Sequence, residues 1–303
     1  MSIRIDKITC GRFGNKVFQY NNLVQLGNLL NTEVSCCRWE GNDYFKNIVS
    51  YKPSKKKRKI LMWNEILNND ITQIKNMLKT NDLCFDDPSL ALHNTFYKLT
   101  KRNPRDYLEL KDKYIPKQSD NFIYVGIHIR GGDILGKDNG DGREIHTPSY
   151  YKKSIDYLLE QEIDKEYIFT ICTDDPSFES TKETINYLNK KKCKYVLGPD
   201  YGKRTFINDF AKLCYSDILI NSSSTFCLAA TFLGKQKKII HNIDWMNRVV
   251  RGDFSNQEYK KYIRVLTNRM TDVEWRTTMG YNKAKIFWTE LNENSYFNVV
   301  KFI

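Results

Sequence analysis

The run VGIHIRGGDI at residues 125–134 leads apolar residues straight into His128, Arg130 and Asp133, with two glycines before the aspartate. An arginine there can grip two phosphate oxygens with its planar guanidinium and stays charged at any working pH. It can equally be salt-bridged to Asp133 as a staple of the loop. His128, on the inward side of an apolar strand, reads as a hydrogen-bonded core residue more readily than as a catalyst. A second polar group, NSSSTF at 221–226, can present its hydroxyls and backbone N–H groups to an anion, or simply cap the helix that follows. Asp174 and Asp175, in CTDDPSF, stand before Pro176 at a helix start. One of them serves as an N-cap, and the other can accept hydrogen bonds from a base or a ribose.

Other chemistries lack their residues. There is no G-x-x-x-x-G-K-[ST] and no G-x-G-x-x-G, so neither a P-loop nor a dinucleotide fingerprint is present. No two aspartates are spaced as D-x-D, which removes the usual carboxylate pair for a Mg²⁺-bound diphosphate. A metal-free site must then neutralise phosphate with arginine and with hydroxyl or backbone donors. The four histidines, at 93, 128, 146 and 241, have no zinc spacing, and no metal is expected. The eight cysteines form no C-x-x-C pair and several lie in apolar runs, which reads as buried free thiols in a reducing interior.

The elements that must hold these groups alternate. Residues 3–10 read as a strand, GRFGN at 11–15 as a glycine turn, and residues 16–31 as a buried helix with apolar positions at 17, 20, 24 and 23, 26, 30. TEVSCCRW follows as a second strand, and roughly 61–118 reads as mainly helical. From residue 120 onward the order is strand, loop, then a helix opened by Thr147 and Pro148 with Tyr151, Ile155, Leu158 and Leu159 on one face. YIFTIC, KYVLG, DILIN and KKIIH are further strands, separated by helices that begin near residues 176, 206 and 224. Such alternation predicts an α/β fold of parallel, doubly wound sheets. The polar segment YIPKQSD at 114–120 is the expected boundary between a domain of residues 1–117 and one of residues 118–303. Ligands of such sheets sit beyond the carboxyl ends of the strands, where all of the polar groups above fall.

With 41 % apolar and 13 % aromatic residues, the chain is globular rather than disordered. No apolar run approaches a membrane span and no signal core is seen, so a cytoplasmic protein that stays in the compartment that made it is expected. The net charge is +12; removing the five basic residues at 55–59 still leaves +7, so the excess is spread along the chain. A phosphate-bearing ligand fits this charge. The run SKKKRK at 54–59 also admits a nuclear or nucleic-acid-binding reading, against the simpler one of a solvated loop.

The ordered set GRFGNKVFQY (11–20), IHIRGGD (127–133), TPSYYKKSIDYL (147–158), TDDPSF (173–178) and DFAKLCYSDILINSSSTF (209–226) resembles the metal-independent fucosyltransferase superfamily. The middle part is most similar to the α-1,2-fucosyltransferases; GRFGN and STF are also similar to the protein O-fucosyltransferases, and TDDPS to the core α-1,6 enzymes. The resemblance implies a GT-B-like fold of two Rossmann-type domains facing a cleft, GDP-fucose as donor, a glycan hydroxyl as acceptor, inversion at the sugar carbon, and no metal or other cofactor. It implies that Arg130 holds the diphosphate while His128 and Asp133 order its loop. Ser224, Thr225 and Phe226 would line phosphate and sugar, Asp209 with Asp174 or Asp175 the nucleoside side, and Asn15 the wall of the first domain. For the general base it points to Asp138, with Asp133 or a phosphate oxygen as alternatives. The sequence departs from the pattern at Gly131, where a second arginine is expected, at Lys16, where a glutamine is expected, and at Cys227 and Leu228, in place of a tryptophan pair. These departures leave a related transferase using another nucleotide sugar as the alternative, and a basic nucleic-acid-binding protein as the alternative of a different class, although nucleic acid is not the expected partner.

Overall fold

The computed structural model describes residues 2–8, 11–52, 58–60, 71–85, 104–131, 146–161, 164–201, 203, 205–222, 224–242, 286–290 and 300–302. The chain divides into two compact units, Met1–Lys113 and Tyr114–Ile303. The fold is α/β with parallel sheets.

In the first unit β1 (Ser2–Ile5) leads to α1 (Phe13–Leu30), β2 (Glu33–Cys36), the single turn α2 (Gly41–Tyr44), β3 (Arg58–Ile60), α3 (Ile71–Thr80) and β4 (Asp82–Cys84). The strands form a parallel sheet in the order β2-β1-β4-β3. Val17, Tyr20, Leu23, Val24, Leu26 and Leu30 of α1 are all buried, as their spacing predicts. So are Gln19, Asn21, Asn22 and Gln25. A helix buried on every side must satisfy such amides internally. Tyr107 does part of this, donating to Asn21 Oδ1 and accepting from Gln25 Nε2 at 2.6 Å. The helix stops at Asn31, in the left-handed region at φ 50°.

This unit refines two expectations. The stretch expected to be mainly helical holds the helix α3, and with it a buried strand, β4, and two short 3-10 turns, Pro104–Asp106 and Asp112–Tyr114; residues 61–70 and 86–103 of it lie outside the described residues. Three residues are too few for a period to register, and it is pairing on both sides that makes β4 a strand. The end of the basic run, read as a loop, is the edge strand β3, with Ile60 64 % exposed.

The second unit runs β5 (Phe122–Ile129), α4 (Pro148–Leu159), β6 (Glu166–Thr173), α5 (Glu179–Lys190), β7 (Lys194–Leu197), α6 (Ile207–Tyr215), β8 (Ile218–Ile220), α7 (Thr225–Leu233), β9 (Lys238–Asn242), β10 (Ile286–Glu290) and β11 (Val300–Phe302). The sheet order is β11-β10-β9-β8-β5-β6-β7. All pairs from β9 to β7 are parallel, and β10 and β11 extend the edge antiparallel. β5 and β6 are buried over their last residues on both faces, which is why they read as continuous apolar runs. The strand order reverses between β5 and β8, the topological switch point where such sheets open a crevice for a ligand. At Gly126, mid-strand, a Cβ would come within 3.0 Å of Ser216 Oγ and 3.1 Å of Leu213 Cδ2, so the glycine lets α6 and the turn after it lie directly on β5.

Thr147 is the N-cap of α4 and Pro148 its first residue, as predicted. Its buried face differs from the expected one: Tyr150, Tyr151, Ser154, Ile155 and Leu158 are covered, whereas Leu159 is 39 % exposed. Tyr150 and Ser154 replace it because their polar atoms find partners inside, Tyr150 Oη on the Asn221 carbonyl and Ser154 Oγ on the Tyr150 carbonyl. Among the described residues no helix is long and apolar enough to cross a membrane. The seven described cysteines are free thiols, five of them buried. Asn221, the acceptor of a glycosylation sequon in the sequence, is fully buried.

Candidate functional site

Arg130 leaves the end of β5, and Ser224 precedes α7 just beyond β8, so the two sit on either side of the switch point. Arg130 Nη1 donates to Ser224 Oγ at 2.9 Å. The same oxygen accepts the Phe226 N–H at 3.3 Å and caps α7. The guanidinium is thereby held beside the positive end of a nine-residue helix with no acidic side chain in its first turn. Two positive features side by side repel each other, and an anion relieves both. Thr225, half-buried in the first turn of that helix, adds a hydroxyl.

His128 lies one turn of the pleat deeper. Its Nδ1 shares a 2.5 Å hydrogen bond with Ser222 Oγ, and its ring packs 5.3 Å from that of Phe226. Burial, then the charges of Arg130 and His146, push its pKa down to about 3, so the imidazole is neutral at any working pH. Phe226 also meets Phe210 at 5.2 Å and Phe206 at 6.0 Å, which carries the packing from β5 across to α6.

The aspartates separate into different tasks. Asp174 Oδ1 accepts the Gly131 N–H at 2.9 Å. Asp175 Oδ1 accepts from Ser177 N at 2.9 Å and Ser177 Oγ at 2.6 Å, closing the turn before α5, whose own N-cap is Phe178. Asp209 is buried on α6 and accepts the Asp200 N–H at 2.9 Å. Burial, with the Asp200 charge adding to it, pushes the Asp209 carboxyl up to about 6. Asp200 goes the other way: hydrogen bonds from Asn208 and Thr205 outweigh its burial and hold it below the usual range. Gly198 is the place where a side chain would strike this pair, since a Cβ there would lie 2.4 Å from Asp209 Oδ1.

No protein-family model and no curated protein sequence matches the chain. Solved structures do. The fucosyltransferase NodZ from Bradyrhizobium aligns with TM-score 0.51 at 12 % identity, over 80 % of this chain and 95 % of its own. POFUT1 in complex with GDP aligns with TM-score 0.50 at 12 % identity, over 77 % of this chain and 96 % of its own. A mutant of Arabidopsis thaliana FUT1 in complex with GDP aligns with TM-score 0.52 at 13 % identity, over 80 % of this chain and 70 % of its own. The fold is GT-B-like.

Within that fold the structure brings His128, Arg130, Ser224 and Phe226 together, ties Asp174 to the same loop, and buries Asp209 on α6, where its carboxylate is hydrogen-bonded to Asp200. Asp133 and Asp138 lie outside the described residues. Asn15 belongs to the first unit, where its side chain lies against Gly11: a Cβ there would meet Asn15 Nδ2 at 2.4 Å, and Gly11 holds φ +50°. Lys16, the substitute for a glutamine, is engaged with Glu40 at 3.1 Å. Ser222, Asp200 and Phe178 escaped the sequence reading. Ser222 stands in the sequence only as one of the hydroxyls of NSSSTF, and its pairing with His128 is not legible there; Asp200 follows Pro199 in a turn whose purpose appears only when Asn208 and Asp209 come round to it. Among the described residues no three His, Cys, Asp or Glu side chains group as a metal site.

Proposed function

We propose that this chain is a fucosyltransferase that moves L-fucose from GDP-fucose to a hydroxyl of a glycan, inverting the sugar carbon without a metal. The observation that carries the reading is the Arg130–Ser224 contact at the N-terminus of α7, a doubly positive corner at the switch point. The fold it shares with GDP-bound proteins supports it. In the reaction the acceptor oxygen bonds to the sugar carbon as that carbon's bond to the phosphate oxygen breaks, and GDP departs with the electron pair. Arg130, the Ser224 hydroxyl and the first N–H groups of α7 meet the charge that develops on the phosphate, so they bind the transition state more tightly than the ground state. His128, neutral and bonded to Ser222, orders the strand end rather than taking the proton. The acceptor proton goes to a carboxylate, for which Asp138 and Asp133 are the proposed bases. Asp209 takes the nucleoside side. The motif resemblance assigns an α-1,2 linkage, whereas one fold neighbour is an α-1,6-fucosyltransferase, so the linkage is read from the product.

The test is a panel of nucleotide sugars with and without EDTA, following release of GDP or UDP. Turnover of GDP-fucose, unaffected by EDTA and cut by about 100- to 1000-fold in a folded Arg130→Ala variant, is expected. Release from UDP-sugars alone, or full activity in Arg130→Ala, overturns the assignment.

A further inference from the structure

The chain leaves β5 through Gly131, and two groups from the β6 side fix that residue. Asp174 Oδ1 accepts its N–H at 2.9 Å. Phe178 lies so close that a Cβ at 131 would stand 2.8 Å from its Cγ and 2.9 Å from its Cβ. Those atoms are the stiff root of a side chain set at the N-cap of α5, so no rotamer change clears them cheaply. Before Arg130 the backbone is fixed again, because Tyr151 Oη donates to the His128 carbonyl at 3.2 Å. The residue that reaches Ser224 is therefore pinned on both sides in the chain.

Resting on the donor-site reading above, we infer that Asp174 is a positioning residue, acting through Gly131 on Arg130, and that Phe178 is the wall that keeps position 131 a glycine. This role differs from a nucleoside contact in one chemical respect. It needs an acceptor oxygen at residue 174, not a negative charge. It also accounts for the single arginine of the loop: a second one at 131 would put its Cβ into space that Phe178 fills. The phosphate charge falls to Arg130, Ser224 and the helix end.

The experiment compares Asp174→Asn, which keeps the oxygen, with Asp174→Ala, by two readouts on the full chain. In hydrogen–deuterium exchange of the peptide ending at Gly131, Asp174→Ala exchanges about five-fold faster, the scale of one lost hydrogen bond, and Asp174→Asn stays near wild type. In GDP-fucose turnover, Asp174→Ala lowers kcat by a similar factor with a smaller change in KM, Asp174→Asn rescues most of the loss, and Asp174→Ala costs nothing further in an Arg130→Ala background. Gly131→Ala attacks the clamp from the other side: as a single change it lowers kcat, and it recovers when combined with Phe178→Gly, which removes both the Cβ and the Cγ that it would strike, whereas Phe178→Ala, which keeps the Cβ, restores less. Unchanged exchange in Asp174→Ala, equal losses in the asparagine and alanine variants, or multiplying effects of Asp174→Ala and Arg130→Ala overturn the inference. If the wild type releases no GDP from GDP-fucose, it is the donor reading that fails, and the exchange arm still decides whether the clamp exists.

Discussion

Arg130 and Ser224 are 94 residues apart in the chain and 2.9 Å apart in space, joined across the point where the strand order of the second unit reverses. The serine oxygen takes one hydrogen from the guanidinium and one from the N–H of Phe226, so a single atom fixes both the arginine and the helix start.

Removing either partner should have separable effects. Arg130→Ala should cut kcat/KM for GDP-fucose by about 100- to 1000-fold, the loss typical of one preorganised donor to a developing anion. Arg130→Lys keeps the charge without the planar fork and should recover only part of it. Ser224→Ala should lower the melting temperature through a lost cap worth about 1 kcal/mol and reduce turnover less than Arg130→Ala does. Steady-state GDP release and thermal melts of the same preparations check both.

Asp209 predicts a trade between stability and binding. Its folded pKa, about 6, lies above the ordinary 3.8, so the folded state holds its proton more tightly than the unfolded chain does. Its favourable contribution is therefore full below about 3.8 and is lost as pH rises through about 6; above that, the buried charge costs about 3 kcal/mol. Asp209→Asn keeps an oxygen for the Asp200 N–H and removes that cost. The variant should gain stability at pH 7–8 relative to wild type, with little gain at pH 4, and should bind GDP more weakly if the carboxylate meets the base. Chemical denaturation at the two pH values, alongside calorimetric GDP titration, measures this.

The sequence showed the alternation after residue 120 because buried parallel strands leave unbroken apolar runs, punctuated by glycine, proline and aspartate. β3 and β4 escaped it, since three residues among lysines and aspartates take strand form only from their neighbours. Arg130 and the serines stood out by type and by place at strand ends. Their partnership did not, because it depends on β8 lying beside β5 rather than on any spacing. Phe178 was invisible for the opposite reason: an ordinary aromatic before a helix acquires meaning only from the glycine it covers.

His128 predicts behaviour at acid pH. Its folded pKa, about 3, is far below the ordinary 6.5, so the stability that the neutral imidazole contributes is fully present above 6.5 and is lost as pH falls from 6.5 toward 3. Turnover between pH 6 and 8 should show no step attributable to it. His128→Phe should unfold at a lower pH than wild type relative to its own stability at pH 7.5, while losing about 1–3 kcal/mol there because Ser222 Oγ is left facing an apolar ring. Acid titration followed by circular dichroism separates the two effects, and an activity step near pH 6.5 that vanishes in the variant would contradict this assignment.

Tyr150 holds the chain just before the serines of the site. Its hydroxyl lies 2.9 Å from the Asn221 carbonyl and 3.1 Å from that of Ile240, and Asn221 N in turn bonds to the same Ile240 oxygen. One hydroxyl therefore ties α4 to the middle of β9 and to Asn221, which follows β8 and immediately precedes Ser222. Tyr150→Phe preserves the ring packing and deletes only the hydroxyl, so it should cost about 1–2 kcal/mol of stability. Because the released strand end carries the serines, GDP affinity should fall severalfold as well. A loss of stability with unchanged GDP affinity would show that the serines are held by α7 alone.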